Sequence, residues 1–150
     1  MIDIFKSNLF SILILLVLIL IMSISCNDVH INHKFKLINN SENNISVLYS
    51  NHETGELTSD LIDYYISDYN TIAPKDTFTI TKLGKANAWH DYIQKGGSKK
   101  LYLFIFDIDT LKAYQGSYSM DELCEMKKYM KEIQYSEREL IHNNWTVDFR

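Results

Sequence analysis

The chain is short of the residues that build most recognisable catalytic and metal sites. It has two cysteines, Cys26 and Cys124, in 150 residues. There is no Cys-x-x-Cys pair, no zinc-ligand spacing and no Cys/His cluster, so no cysteine-based metal site is expected. One proline, Pro74, and five glycines leave no glycine-rich phosphate loop. Positive charge is also scarce: 15 Lys and Arg stand against 19 Asp and Glu, for a formal charge of −4. The lysines are scattered, so the chain lacks the basic patch that nucleic acid requires. No repeat or low-complexity tract is present.

Long apolar runs are absent with one exception, and that exception organises the chain. Leu9–Met22 is an uncharged apolar stretch of 14 residues, preceded by Lys6 and followed by Ser23-Ile24-Ser25-Cys26. The length suits a signal h-region, and the serines put small side chains where a peptidase must admit the chain. Met1–Cys26 resembles the signal of bacterial lipoproteins, with Ser23 where that pattern prefers Leu. The resemblance implies a diacylglycerol-modified thiol at Cys26 and a mature protein beginning there. The membrane, through that lipid, is then its first partner, and residues 26–150 lie outside the cytoplasm as a periplasmic or outer-membrane lipoprotein. An uncleaved helix is the alternative. Ser7–Ser25 holds no charge, and its 19 residues would span roughly 28 Å as a helix, close to a hydrocarbon core. Cleavage without a lipid is a third possibility.

The expected organisation is therefore a signal peptide at 1–25, a polar tether at 26–34 and one α+β domain at 35–150. His30 and His33 in the tether have no third ligand nearby. If Cys26 carries lipid, Cys124 has no disulfide partner and is expected to be a small buried apolar residue.

Within the domain, Phe35–Ile38 and Ile45–Ser50 flank the turn formers of residues 39–44 and predict a β-hairpin with a longer loop. Leu61–Tyr69 fits both helical and strand spacing and is expected to be a short helix or irregular segment. Phe78–Leu83 alternates as a strand that Gly84 stops. Ala86–Lys95 predicts a helix presenting Trp89, Tyr92 and Ile93 on one face, leaving His90 exposed. Leu101–Phe106, LYLFIF, is a continuous apolar run of strand length and is expected to be central and covered on both faces. Ser119-Met120-Asp121-Glu122 and Ser136-Glu137-Arg138-Glu139 are capping-box patterns that predict two helices. Tyr129–Tyr135 and Trp145–Phe149 alternate as strands. Together these predict a mostly antiparallel sheet of five or six strands with two to four short helices packed to one side.

Two further resemblances arise. Asp107-Ile108-Asp109-Thr110, at the end of a strand, resembles the nucleophile motif of haloacid-dehalogenase-type phosphatases. That family places its threonine where this chain has Leu111, and needs a larger domain than the residues that follow. The expected reading is a strand leaving the core into a turn with both carboxylates solvated. Tyr135, Ser136, Leu140, Asn144, Trp145, Thr146, Val147 and Phe149 resemble the C-terminal segment of small Bacteroidetes-type lipoproteins. The likeness implies a shared fold and location and transfers no activity.

No nucleophile–base pair, metal-ligand set or cofactor motif stands out. A non-enzymatic binding or interaction module is therefore expected, with no cofactor and no metal. Its ligand surface would be aromatic, from Tyr64, Tyr65, Trp89 and Tyr92, with Tyr69 beside them, and would suit a protein or glycan partner. A small envelope enzyme would have to assemble a site from His52, His90, Asp107, Asp109 and His142. An accessory subunit without a ligand of its own would show scattered surface aromatics instead.

Overall fold

The computed structural model describes residues 34–53, 61–84 and 87–150. The signal-like segment, Cys26, and the His30 and His33 pair lie outside the described residues. Among the described residues, no helix is long and apolar enough to cross a membrane.

The fold is α+β. Strands β1 (Phe35–Asn39) and β2 (Ile45–Ser50) lead to helix α1 (Ile62–Tyr65), strand β3 (Thr77–Ile80) and helix α2 (Ala88–Lys95). Strand β4 (Lys100–Asp107) follows, then helices α3 (Ile108–Tyr114) and α4 (Met120–Glu125). Strand β5 (Lys131–Ser136), helix α5 (Glu137–His142) and strand β6 (Thr146–Phe149) complete the chain. All six expected strands form, but not as one sheet. They build two three-stranded sheets, ordered β3-β1-β6 and β2-β4-β5. Three of the four pairings are antiparallel; β1 with β6 is parallel.

The expected β1–β2 hairpin does not form, because the two strands belong to different sheets. Its turn chemistry is nonetheless used. The buried Asn39 donates through Nδ2 to the Asn43 and Ile72 carbonyls at 2.8 and 2.9 Å and accepts from Ser41 N at 3.0 Å. These bonds satisfy a buried amide and turn the chain from one sheet into the other.

Strand β4 is central, as its unbroken apolar run predicts, and each of its faces seals a different core. Leu101, Leu103 and Ile105 face a core shared with Phe35, Leu37 and Val147 of the other sheet. Tyr102, Phe104 and Phe106 face a second core with Ile62, Leu111 and Leu123 from the helices. The helices do not all lie on one side, contrary to the sequence reading. Helices α1, α3 and α4 cover the second core, while α2 and α5 supply Trp89, Ile93 and Leu140 to the core between the sheets.

Five helices occur among the described residues, one more than expected. The additional helix is α3, where the chain after β4 was expected to turn. The Asp107 carboxylate accepts from Thr110 N at 2.9 Å and caps α3, so only Asp109 is a freely exposed carboxylate there. An Asp at this position satisfies an otherwise orphaned helix N–H. Both serine capping boxes are present, at Ser119 with Glu122 and at Ser136 with Glu139. Asn144 and Trp145 both adopt positive φ, at 50° and 55°. Trp145 N donates to Leu140 O at 2.7 Å. Trp145 thus closes α5 instead of opening β6, which starts one residue later than its alternation predicts.

Candidate functional site

The aromatic residues singled out in the sequence gather in two neighbouring places that share Tyr49 of β2. The first is a cleft of about 200 Å³ lined by Tyr49, Tyr64, Tyr65, Asn70, Phe78 and Thr81. Helix α1 places Tyr64 and Tyr65 there, with their rings edge to face at 5.1 Å. Tyr64 is 51% exposed and Tyr65 only 4%, so Tyr64 offers the accessible ring and Tyr65 forms a wall. Burial raises the pKa of the Tyr65 hydroxyl, with Tyr64 adding to the effect. Tyr49 is raised for the same two reasons. Both phenols therefore stay protonated and able to donate. The Asn70 amide donates to Tyr64 O at 2.7 Å and to Ser67 Oγ at 3.1 Å, which fixes the segment after α1 against the cleft.

The second place is a three-walled box of Tyr49, Trp89 and Tyr92. The ring centroids are separated by 5.4 Å (Tyr49–Trp89), 6.0 Å (Tyr49–Tyr92) and 6.2 Å (Trp89–Tyr92). Their planes are inclined at 60°, 75° and 78°, so each ring forms a separate wall. Helix α2 supplies two of the walls at i and i+3 spacing. It is clamped to the end of β2 by Asn51, whose Nδ2 donates to Tyr92 O at 2.7 Å. Gly96, just past α2, packs directly on Asn51, where a Cβ would run into the Asn51 carbonyl oxygen.

The Lys82 ammonium occupies the box, 3.5 Å from the Tyr92 centroid, 5.2 Å from Tyr49 and 6.0 Å from Trp89. Burial lowers the Lys82 pKa. Trp89 is 2% exposed, which corrects its expected place on a surface patch, and its Nε1 has no hydrogen-bond partner among the described residues. Tyr69, at 90% exposed, lines neither place. Sequence spacing identified Trp89 and Tyr92 as one helix face but could not find Tyr49 or Lys82, which come from two other segments.

The five His and Asp candidates come from four separate segments of the chain. Strand β2 runs antiparallel to β4 with Ile45 opposite Asp107 and Ser50 opposite Tyr102. His52, beyond Ser50, therefore lies at the far end of the sheet from Asp107. His90 pairs with Glu137 at the start of α5, with Nδ1 to Oε2 at 2.8 Å. His142 sits at the other end of α5, in a separate cleft of about 270 Å³ with Tyr135, Arg138 and Glu139. No group of three His, Cys, Asp or Glu residues capable of holding a metal occurs among the described residues. Cys124 is a free, buried thiol. Burial, with Asp121 and Glu132 nearby, pushes its pKa up to about 12, so it is a packing residue and not a thiolate nucleophile.

Comparison with protein-family models, curated proteins and solved structures gives no match.

Proposed function

We propose that this chain is a lipid-anchored cell-envelope protein, a non-enzymatic binding module tethered through Cys26. The cleft beneath α1 is its ligand site. The observation that carries the binding reading is the cleft's make-up. Exposed Tyr64 stands over a wall of Tyr65, Tyr49 and Phe78, and Asn70 and Thr81 complete the lining. Apolar ring faces beside a few fixed polar groups are the usual composition of a small-ligand or recognition pocket. Its volume of about 200 Å³ suits one sugar ring or one protruding side chain. A glycan or protein partner is accordingly read through a single inserted group. The anchoring reading rests on the apolar run closed by Ser-Ile-Ser-Cys at residues 23–26, which resembles a lipoprotein signal.

Two experiments test these parts separately. Intact mass of membrane-extracted protein should give a chain beginning at Cys26 with added acyl mass, lost in Cys26→Ala. A mass retaining Met1 would refute the lipid anchor and make Ser7–Ser25 a membrane helix. For the binding part, envelope glycans and envelope proteins are tested against the native protein and Tyr64→Ala. Capture that disappears in Tyr64→Ala supports the cleft as the ligand site. Capture that is unchanged by the substitution removes the cleft from recognition.

A further inference from the structure

The box of Tyr49, Trp89 and Tyr92 carries an inference that does not depend on the anchor or on the α1 cleft. Single lysine–aromatic contacts are common in proteins. Three mutually inclined rings around one ammonium form a more specific arrangement, the kind of aromatic enclosure that recognises organic cations. The occupant fits this one imperfectly. Lys82 rests against Tyr92 and leaves the Tyr49 and Trp89 centroids 5.2 and 6.0 Å away. A lysine ammonium also carries three N–H donors. No carboxylate or carbonyl receives them among the described residues, where the contacts of Nζ are to rings. Partial burial works against this charge, and the Lys82 pKa is lowered accordingly.

We propose that the Tyr49–Trp89–Tyr92 box is a receptor for a quaternary ammonium group, with Lys82 as a tethered placeholder that an incoming ligand displaces. A quaternary ammonium has no N–H donors to leave unsatisfied, and its methyl groups reach the two walls that Lys82 leaves distant. Lys82 follows the last residue of β3, Ile80, by two positions and lies outside any regular element. Gly84 beyond it adopts φ of 146°, a conformation that L side chains rarely take. Lys82 competes from within the same chain, so the affinity seen by an external cation is reduced by the fraction of molecules whose box is open.

The test uses the full chain in a detergent without choline groups, titrated with tetramethylammonium and followed by tryptophan fluorescence, since Trp89 forms a wall. Lys82→Ala is expected to bind about tenfold more tightly than the native protein, because the tethered competitor is gone. Tyr92→Ala in the Lys82→Ala background is expected to abolish the response. Lys82→Gln keeps most of the side-chain stem without the charge, and decides the matter if Lys82→Ala does not fold. Choline and Nε-trimethyl-lysine are then compared, to tell a headgroup-like source from a modified side chain. A folded Lys82→Ala or Lys82→Gln protein that gives no tetramethylammonium response overturns the proposal. So does equal affinity in native and variant proteins, or a response that survives Tyr92→Ala.

Discussion

The two faces of the β2-β4-β5 sheet are closed in different ways. On one face, a second sheet and helices α2 and α5 pack over Leu101, Leu103 and Ile105. On the other, three short helices pack over Tyr102, Phe104 and Phe106. The helix-covered side ends in capped helices and keeps its thiol, Cys124, buried. The sheet-covered side gathers Phe35, Tyr49, Trp89, Tyr92 and Trp145 into a chain of ring contacts. That chain ends at a wall reached by Lys82, so the proposed cation site lies where two sheets and a helix meet. Helices can pack a sheet face closely, whereas two twisted sheets leave a splayed edge that large rings must fill.

The largest expected effect tests whether the two cores carry similar weight. Phe35→Ala empties the sheet-covered core and Phe104→Ala the helix-covered one, and both side chains are essentially fully buried. Each substitution should destabilise by about 3–5 kcal/mol in chemical denaturation, from lost transfer energy plus the cavity left behind. A much smaller loss for Phe35→Ala would mean that the inter-sheet side collapses around the void, and that its ring chain is loosely packed.

The same contrast explains what the sequence did and did not reveal. A strand covered on both faces is a continuous apolar run, and LYLFIF announced β4 as central. Strand β1 alternates buried and exposed positions, which announces one covered face. Neither pattern says which strand lies alongside. Strand β1 finds β6 across more than a hundred residues of chain, and that pairing left no local signal, so the hairpin inferred from the turn-rich loop was wrong. The serine boxes were legible because capping is chemistry within four residues. Helix α3 is not legible locally because its cap, Asp107, is also the last residue of β4, so the acidic pair reads equally well as a turn. The box was half legible. Trp89 and Tyr92 share a helical face by spacing, whereas Tyr49 and Lys82 join them only through tertiary packing.

Gly96 offers a sharper probe of the sheet-covered side. Its φ of −69° is open to any residue, so strain in the backbone is not the issue. A Cβ there would strike the Asn51 carbonyl oxygen, and backbone gives way less readily than a flexible side chain. Gly96→Ala should destabilise by about 1–3 kcal/mol through overpacking. It should also loosen the Asn51–Tyr92 bond and lower Trp89 fluorescence anisotropy decay times. An equivalent stability loss with unchanged tryptophan dynamics would separate the α2 clamp from the box.

The two capping boxes compare the sides directly, since Ser119 starts α4 over one core and Ser136 starts α5 against the other. Each Ser→Ala substitution should destabilise by about 1 kcal/mol in thermal or chemical unfolding. The carboxyl of Glu122 is held below its ordinary pKa first by the Ser119 backbone N–H and then by its hydroxyl. For Glu139 the order is reversed, with the Ser136 hydroxyl first. A folded-state pKa below the unfolded value of about 4.5 gives stability that is present above that value. It is lost as pH falls through the lowered one. Ser136→Ala should therefore flatten the acid-side loss of stability more than Ser119→Ala does. Equal flattening would show that backbone donation governs both caps.

The smallest effect concerns the one described ion pair that joins α2 to α5 on the sheet-covered side. His90 Nδ1 lies 2.8 Å from Glu137 Oε2, with the histidine side chain 49% exposed and the glutamate 22%. Solvent screening and side-chain entropy limit a contact of this kind, so His90→Ala should alter stability by less than about 1 kcal/mol. A double-mutant cycle with Glu137→Ala isolates the pair from the helix N-terminal charge that Glu137 also supplies. Gln94 complicates the cycle, because its Nε2 reaches the same carboxylate oxygen at 3.4 Å. His90→Gln preserves a donor to Glu137 without the ring, and should match the native protein in stability if hydrogen bonding alone matters. A larger loss in His90→Ala than in Gly96→Ala would invert the expected order. The orientation of α2, and of the Trp89 and Tyr92 walls it carries, would then depend on a surface contact and not on the Asn51 clamp.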